Sequence, residues 1–286
     1  LRPERVQDPD FEWAIRGSSC RMVSACSLVK HRDYHVDVSR PSNTMSASHI
    51  ETVFLDAGGV LCHPSWVRVA DALGRHGVPV QASALAAAEQ LATFDIDQAS
   101  IIGSTDDRSR GWLYFNLVLQ HAGVEQNAAT DGALAELREY HGLHNLWEHV
   151  EPDVVPALAG LRARGLRLVV VSNANGRLRT LFDRVGLTPW FDHILDSHEW
   201  GVEKPDPKLF HLAVEQSGAD PATTVHVGDL YHVDVVGARR AGLRDGVLLD
   251  LANLYDGVDC PRVASLDALV AWIDTPSGNQ TRNRVP

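Results

Sequence analysis

Apolar residues along this chain follow two rhythms. Near Thr52–Leu55, Leu166–Val171, His193–Leu195, Thr224–Val227 and Gly246–Leu249 they form short, nearly unbroken runs rich in Val, Leu and Ile. Such runs suit strands buried on both faces of a parallel sheet. Between and after them the spacing lengthens to three and four residues, which predicts helices near Asp153–Arg164, Asn175–Val185, Pro207–Ser217, Val233–Ala241 and Leu266–Ile273. Alternation of this kind implies an α/β fold in three layers, a parallel sheet with helices on both faces. Only the first strand stands apart. After it, Trp66, Val69, Ala70 and Leu73, then Trp112, Phe115 and Leu119, then Leu134, Leu137 and Tyr140 recur at helical spacing with no convincing strand among them. Residues 65–150 therefore read as an all-helical insertion, dividing a core of residues 48–64 and 151–274. Residues 1–47 lack either period and are expected to be a disordered extension, or sequence upstream of a true start at Met45; residues 275–286 read as a tail.

Polar residues gather where the apolar runs stop. Thr52-Val-Phe-Leu ends in Asp56-Ala-Gly58-Gly59; Leu168-Val-Val-Val ends in Ser172-Asn173; Val225-His-Val ends in Gly228-Asp229, with Asp234 following; and Lys204-Pro205 precedes the helix at Pro207. The carboxyl ends of parallel strands are where open α/β sheets place ligands, so these residues are candidates for one crevice. Ser172 and Asn173 can donate to an anion, and a helix cap before Asn175 is an equally good use of them. Asp56, Asp229 and Asp234 would repel one another in a crevice unless a cation neutralised them, and a hard, oxygen-ligated ion such as magnesium suits three carboxylates.

Composition narrows the partners. The net charge of −11 and the scatter of basic residues argue against a nucleic-acid surface, and no apolar run approaches the length of a membrane span. Cys20, Cys26, Cys62 and Cys260 form no CxxC pair or framework spacing, which favours a reducing compartment, and a cytoplasmic location is expected. His141, His144 and His149 lie close in sequence without a cysteine and read as surface or insertion-lining residues rather than a zinc site. There are only three lysines, Lys30, Lys204 and Lys208. In a chain that otherwise uses arginine, the ammonium kept before Pro205 fits a single phosphate or carboxylate oxygen better than a forked guanidinium would.

The four segments, in this order and spanning roughly Glu51 to Asp250, resemble the haloacid dehalogenase-like (HAD) superfamily of aspartate-nucleophile hydrolases. The resemblance implies a Rossmann-like core with a C1-type helical cap between the first and second motifs. It implies that Asp56 attacks phosphorus to form an aspartyl-phosphate, that Ser172, Asn173 and Lys204 hold the phosphoryl group, and that Lys204 also stabilises its charge. It further implies Mg2+ held by the Asp56 side chain, the backbone carbonyl of Gly58 and Asp229, with Asp234 assisting. The expected substrate is a small phosphorylated metabolite, and the cap would close over it and select it.

Gly58 departs from the phosphatase pattern of that superfamily, in which a second aspartate two residues after the nucleophile protonates the leaving group. General acid–base help is typically worth ~10²–10⁴-fold in rate. Three readings follow. A 2-haloacid dehalogenase needs no such acid, but Gly228-Asp229 is a magnesium-type motif. A hydrolase whose leaving group departs without a proton, from an acyl, anhydride or aryl phosphate, needs none either; His63, His141 or His144 are candidate substitutes. Third, the chain could bind a phosphorylated ligand with slow turnover or none, although Asp56, Lys204, Asp229 and Asp234 together favour an enzyme.

Overall fold

The computed structural model describes residues 49–275; the expectations for residues 1–47 and for most of the tail lie outside that range. Six parallel strands, β1 (Thr52–Leu55), β2 (Arg167–Ser172), β3 (His193–Asp196), β4 (Thr224–Gly228), β5 (Asp245–Leu249) and β6 (Arg262–Val263), form one sheet in the order β3-β2-β1-β4-β5-β6. The chain starts in the middle, steps outward to β3, then returns to lay down β4 to β6 on the other side. The order thus reverses between β1 and β4, and a crevice opens there beyond the strands' carboxyl ends. Leu55 is level with Val170 on one neighbour and Val227 on the other, so the residues that follow these strands emerge side by side.

Eleven α-helices are described: α1 (Trp66–Arg75), α2 (Ala82–Ile96), α3 (Ala99–Ser104), α4 (Asp107–His121), α5 (Ala128–His144), α6 (Val154–Ala163), α7 (Leu178–Val185), α8 (Ser197–Trp200), α9 (Pro207–Ser217), α10 (Val236–Arg240) and α11 (Leu266–Ile273). Alternate strand residues serve opposite faces. Val53, Leu55, Leu168 and Val170 pack with α6, α7 and α11, while Phe54, Val169 and Val171 pack with α9 and α10. Apart from the exposed Arg167 that opens β2, these strands are buried along their length, which is why their apolar runs are continuous rather than alternating.

Helices α1 to α5 lie between β1 and β2 and have a core of their own, in which Val69, Leu73, Leu85, Phe115, Val118 and Leu137 meet. Ser65 caps α1 by accepting from the Arg68 N–H, and Asn127 forms a capping box with Thr130 at the start of α5.

Three local features differ from the sequence expectation. Helix α7 begins at Leu178 rather than Asn175, and its first N–H, that of Leu178, donates to the buried Asp196 carboxylate at 3.2 Å. Ser172 and Asn173 therefore do not cap it. The helix expected from Val233 is a wide π-type turn, Tyr231–Val235, running into α10. Strand β6 and the single-turn α8 are too short to leave a periodic signal.

Candidate active site

Asp56 follows β1 directly, and its N–H donates to Val227 O across the switch point at 2.9 Å. Ala57 N donates to Asp56 Oδ1 at 2.7 Å, and the Ser172 hydroxyl, at the end of β2, acts to lower the pKa of the same carboxylate. Lys204 reaches the centre from the loop before α9. Only 1% exposed, it sets its Nζ 3.0 Å from Asp56 Oδ1 and 2.6 Å from Asp234 Oδ1. Oxygens of Asp56, Asp229 and Asp234 all lie within 4.8 Å of one another. The residues singled out in four separate segments thus converge on one point.

Their ionisation is mutually determined. Burial alone would drive the Lys204 ammonium towards neutrality, but the charges of Asp234 and Asp56 more than offset it and its pKa is raised. Burial likewise pushes Asp234 up, and Lys204 together with a hydrogen bond from His226 overcomes it and holds this carboxyl below its usual range. Asp56 remains raised: burial is the largest cause, Lys204 opposes it, and the Asp234 charge adds to it. Asp229 is raised well above the usual range by burial and by the charges of Asp234 and Asp56.

Two positioning details stand out. Asp234 accepts from Lys204 and His226 on Oδ1 and from Leu230 N on Oδ2 at 3.1 Å, so its carboxylate is engaged within the protein. Asn173 clamps the backbone of Lys204 from both sides, its Oδ1 accepting from Lys204 N at 2.7 Å and its Nδ2 donating to Lys204 O at 3.0 Å. Asn173 and Asp234 both hold Lys204 in place. Gly59, at φ 69°, lets the turn pass so close to Asp229 that a Cβ would overlap its carboxylate.

Among the described residues Asp229 makes no ion pair, and it is half-buried beside Asp56. An oxygen-rich pocket holding three carboxylates against one ammonium is the donor set that a hard divalent cation takes. The residues fit magnesium on that ground.

The helical insertion covers this crevice. Asp107 N, at the start of α4, donates to Glu203 Oε2 at 3.0 Å, next to Lys204. Two turns on, burial and then the charges of Glu89 and Asp229 push the Tyr114 hydroxyl pKa well above its ordinary value. Trp147 lies over Gly58: a Cβ there would sit 3.3 Å from the indole Nε1. Asp56 is left only 8% exposed.

Comparison with known proteins identifies the family and the fold. The family model of haloacid dehalogenase-like hydrolases matches residues 50–242. The chain belongs to that family. It is 35% identical over 189 residues to the bovine (Bos taurus) haloacid dehalogenase-like hydrolase domain-containing protein 3, covering 64% of this chain and 74% of that protein. It is 34% identical over 131 residues to glyceraldehyde 3-phosphate phosphatase of Methanopyrus kandleri, covering 46% of this chain and 55% of that enzyme. The crystal structure of a HAD phosphatase from Thermococcus onnurineus shares the fold, with a TM-score of 0.51 and 23% identity over 81% of this chain and all of that one. The protein is therefore a HAD-like hydrolase with a Rossmann-like core.

Sequence reading did not single out several residues around the site. His226 was detectable in principle, as a polar residue inside an otherwise apolar, doubly buried strand. Glu89 and Asp97 lie in the insertion, and their place relative to the site depends on how α2 folds back over the sheet. His141, His144 and His149 form no metal-binding group among the described residues. His141 faces Asn175, whose Nδ2 donates to His141 O at 3.0 Å. His63, one of the substitute acids considered, is turned to Glu89 at 2.7 Å.

Proposed function

We propose that this hydrolase is a magnesium-dependent phosphatase in which Asp56 is the nucleophile. The observation that carries the reading is the Lys204 ammonium, wholly buried between Asp56 and Asp234. A structural core has no need for such a desolvated charge group, whereas a dianionic phosphoryl group entering beside Asp56 would find it in place. The names of curated relatives, a glyceraldehyde 3-phosphate phosphatase and a phosphoserine phosphatase of Thermus thermophilus, support small phosphorylated metabolites as substrates. No helix among the described residues is long and apolar enough to cross a membrane, and we place the enzyme in the reducing cytoplasm, consistent with the free thiols of Cys62 and Cys260.

Asp56 attacks phosphorus and the bond to the leaving group breaks, giving an aspartyl-phosphate; water then releases phosphate. Lys204 and Ser172 hold the phosphoryl oxygens, and Asn173 keeps Lys204 aimed. Asp56, Asp229 and the Gly58 carbonyl would hold magnesium, which when bound neutralises phosphate charge. Asp234 acts on the site through Lys204. Helices α1–α5 serve as a cap that must open to admit substrate, because the crevice beneath them is covered.

The test is turnover of p-nitrophenyl phosphate and acetyl phosphate with and without magnesium. Asp56→Asn is expected to lower kcat by on the order of 10⁴, and acid-quenched wild type is expected to carry phosphate on Asp56. Magnesium-independent chloride release from 2-chloropropionate, with no phosphate ester hydrolysed, would instead establish a dehalogenase.

A further inference from the structure

Position 58 is where the protein departs from an ordinary acid-assisted site, and the space above it is filled. A Cβ at Gly58 would lie 3.3 Å from Trp147 Nε1 and 3.4 Å from its Cδ1. No carboxylate side chain could grow from this position without moving the indole. The indole is held on several sides. Asn145, at φ 66°, turns the chain after α5 and accepts from Trp147 N at 3.0 Å. The ring stacks on Tyr114 (6.2 Å between centroids, 29°) and meets Phe115 (5.6 Å, 71°) and His141 (5.4 Å, 67°) edge to face.

The indole N–H is also unused. Trp66 shows the ordinary case in the same cluster, its Nε1 donating to Glu89 Oε2 at 2.7 Å. Trp147 Nε1 has no hydrogen-bond partner among the described residues and is not among their buried unpartnered atoms, so its N–H is open to a ligand beside Gly58. An indole N–H donates a hydrogen bond but does not serve as an acid.

From these observations we infer that Trp147 takes the place of the leaving-group acid, its Nε1–H donating to the departing oxygen, so that the enzyme acts on phosphates whose leaving group is stable as an anion, acyl or aryl phosphates in particular. The inference rests on the phosphatase reading above. In the first step an Asp56 oxygen bonds to phosphorus while the bond from phosphorus to the leaving oxygen breaks. The electron pair stays on that oxygen, which departs as a carboxylate or phenolate and takes no proton. In the second step water displaces the Asp56 carboxylate from phosphorus, and both its protons leave on dihydrogen phosphate.

The experiment measures kcat and KM with magnesium for acetyl phosphate, p-nitrophenyl phosphate, phenyl phosphate and glycerol 3-phosphate. The proteins are wild type, Trp147→Phe, Gly58→Asp, and Gly58→Asp combined with Trp147→Ala. Wild type is expected to favour the first two substrates. Trp147→Phe keeps an aromatic ring and removes the donor; it should lower kcat about 10- to 100-fold with KM little changed, and the loss should grow from p-nitrophenyl to phenyl phosphate. Gly58→Asp alone should leave glycerol 3-phosphate almost inert, and the double variant, which makes room for the carboxylate, should hydrolyse it faster than either parent. Equal kcat for Trp147→Phe and wild type on all substrates, or rescue by Gly58→Asp alone, overturns the inference and leaves the Asp56 phosphatase standing. Wild type that hydrolyses none of these phosphates overturns both.

Discussion

Lys204 shows how much of this molecule is organised around one side chain. Two carboxylates flank its ammonium, an asparagine amide grips its backbone, and His226 completes the coordination of the acid that holds it. A buried charge group of this kind costs little while intact and much when one member is removed, because the others are left buried without compensation. Lys204→Met conserves most of the volume and removes only the charge. It should destabilise the fold by about 3–5 kcal/mol, lowering Tm by on the order of 10 °C, as well as abolishing turnover. Thermal unfolding checks this directly, and an unchanged Tm would mean that Asp56 and Asp234 have another source of compensation. His226 belongs to the same group. Burial lowers its pKa, so the neutral ring donates from Nε2 to Asp234, and Nδ1 is left in the core without a partner among the described residues. A polar atom is thus sacrificed to fix a carboxylate.

Elements differ in how openly the sequence declares them. Strands β1, β2 and β4 were legible because burial on both faces demands an unbroken apolar run, and the polar residues that end them mark the crevice. The two-residue β6 has no period to read, and the late start of α7 depends on Asp196, an acid from a different strand. Helices α1, α4 and α5 were legible from apolar spacing, but their placement over the site was not. That placement is set by buried polar contacts such as His63 with Glu89, which join the loop after β1 to α2 and leave no local signal. This contact carries a pH dependence. Burial would lower the His63 pKa, yet the hydrogen bond and charge of Glu89, with Glu151 and Asp153 beyond, outweigh it and the folded value is raised. A pKa raised on folding contributes stability that is complete below the unfolded value of about 6.5 and is lost as pH rises through the folded value. Tm should therefore decline from pH ~6 upward, and Glu89→Gln should flatten that part of the profile while lowering stability overall. A Glu89→Gln profile parallel to wild type would assign the slope to other groups.

For the whole molecule, the issue is how substrate reaches a crevice that the cap covers. Two sets of contacts between cap and core differ sharply in strength. At the rim, Arg184 Nη2 meets Glu148 Oε2 at 2.9 Å and Asp107 N meets Glu203, both exposed pairs that are worth about 1 kcal/mol or less. On the other side Asp97, at the end of α2 and 2% exposed, accepts from Tyr231 N at 2.6 Å, His232 N at 3.0 Å and Tyr255 Oη at 2.9 Å. Hydrogen bonds to a buried carboxylate are each worth about 1.5–3 kcal/mol. The cheap contacts can part while the costly ones hold, so the cap should swing about Asp97 with the rim at Glu203 and Arg184 opening. Because Asp97 also anchors the turn that carries Asp234, the pivot and the Lys204 charge group share a support. Arg184→Ala should therefore leave Tm nearly unchanged and speed hydrogen exchange at the rim, with kcat rising a few-fold if opening limits turnover. Asp97→Ala should lower Tm by on the order of 10 °C, accelerate exchange at Tyr231 and His232, and reduce kcat through Asp234 and Lys204. If Arg184→Ala proved the more damaging of the two, the rim would be the hinge and Asp97 the latch.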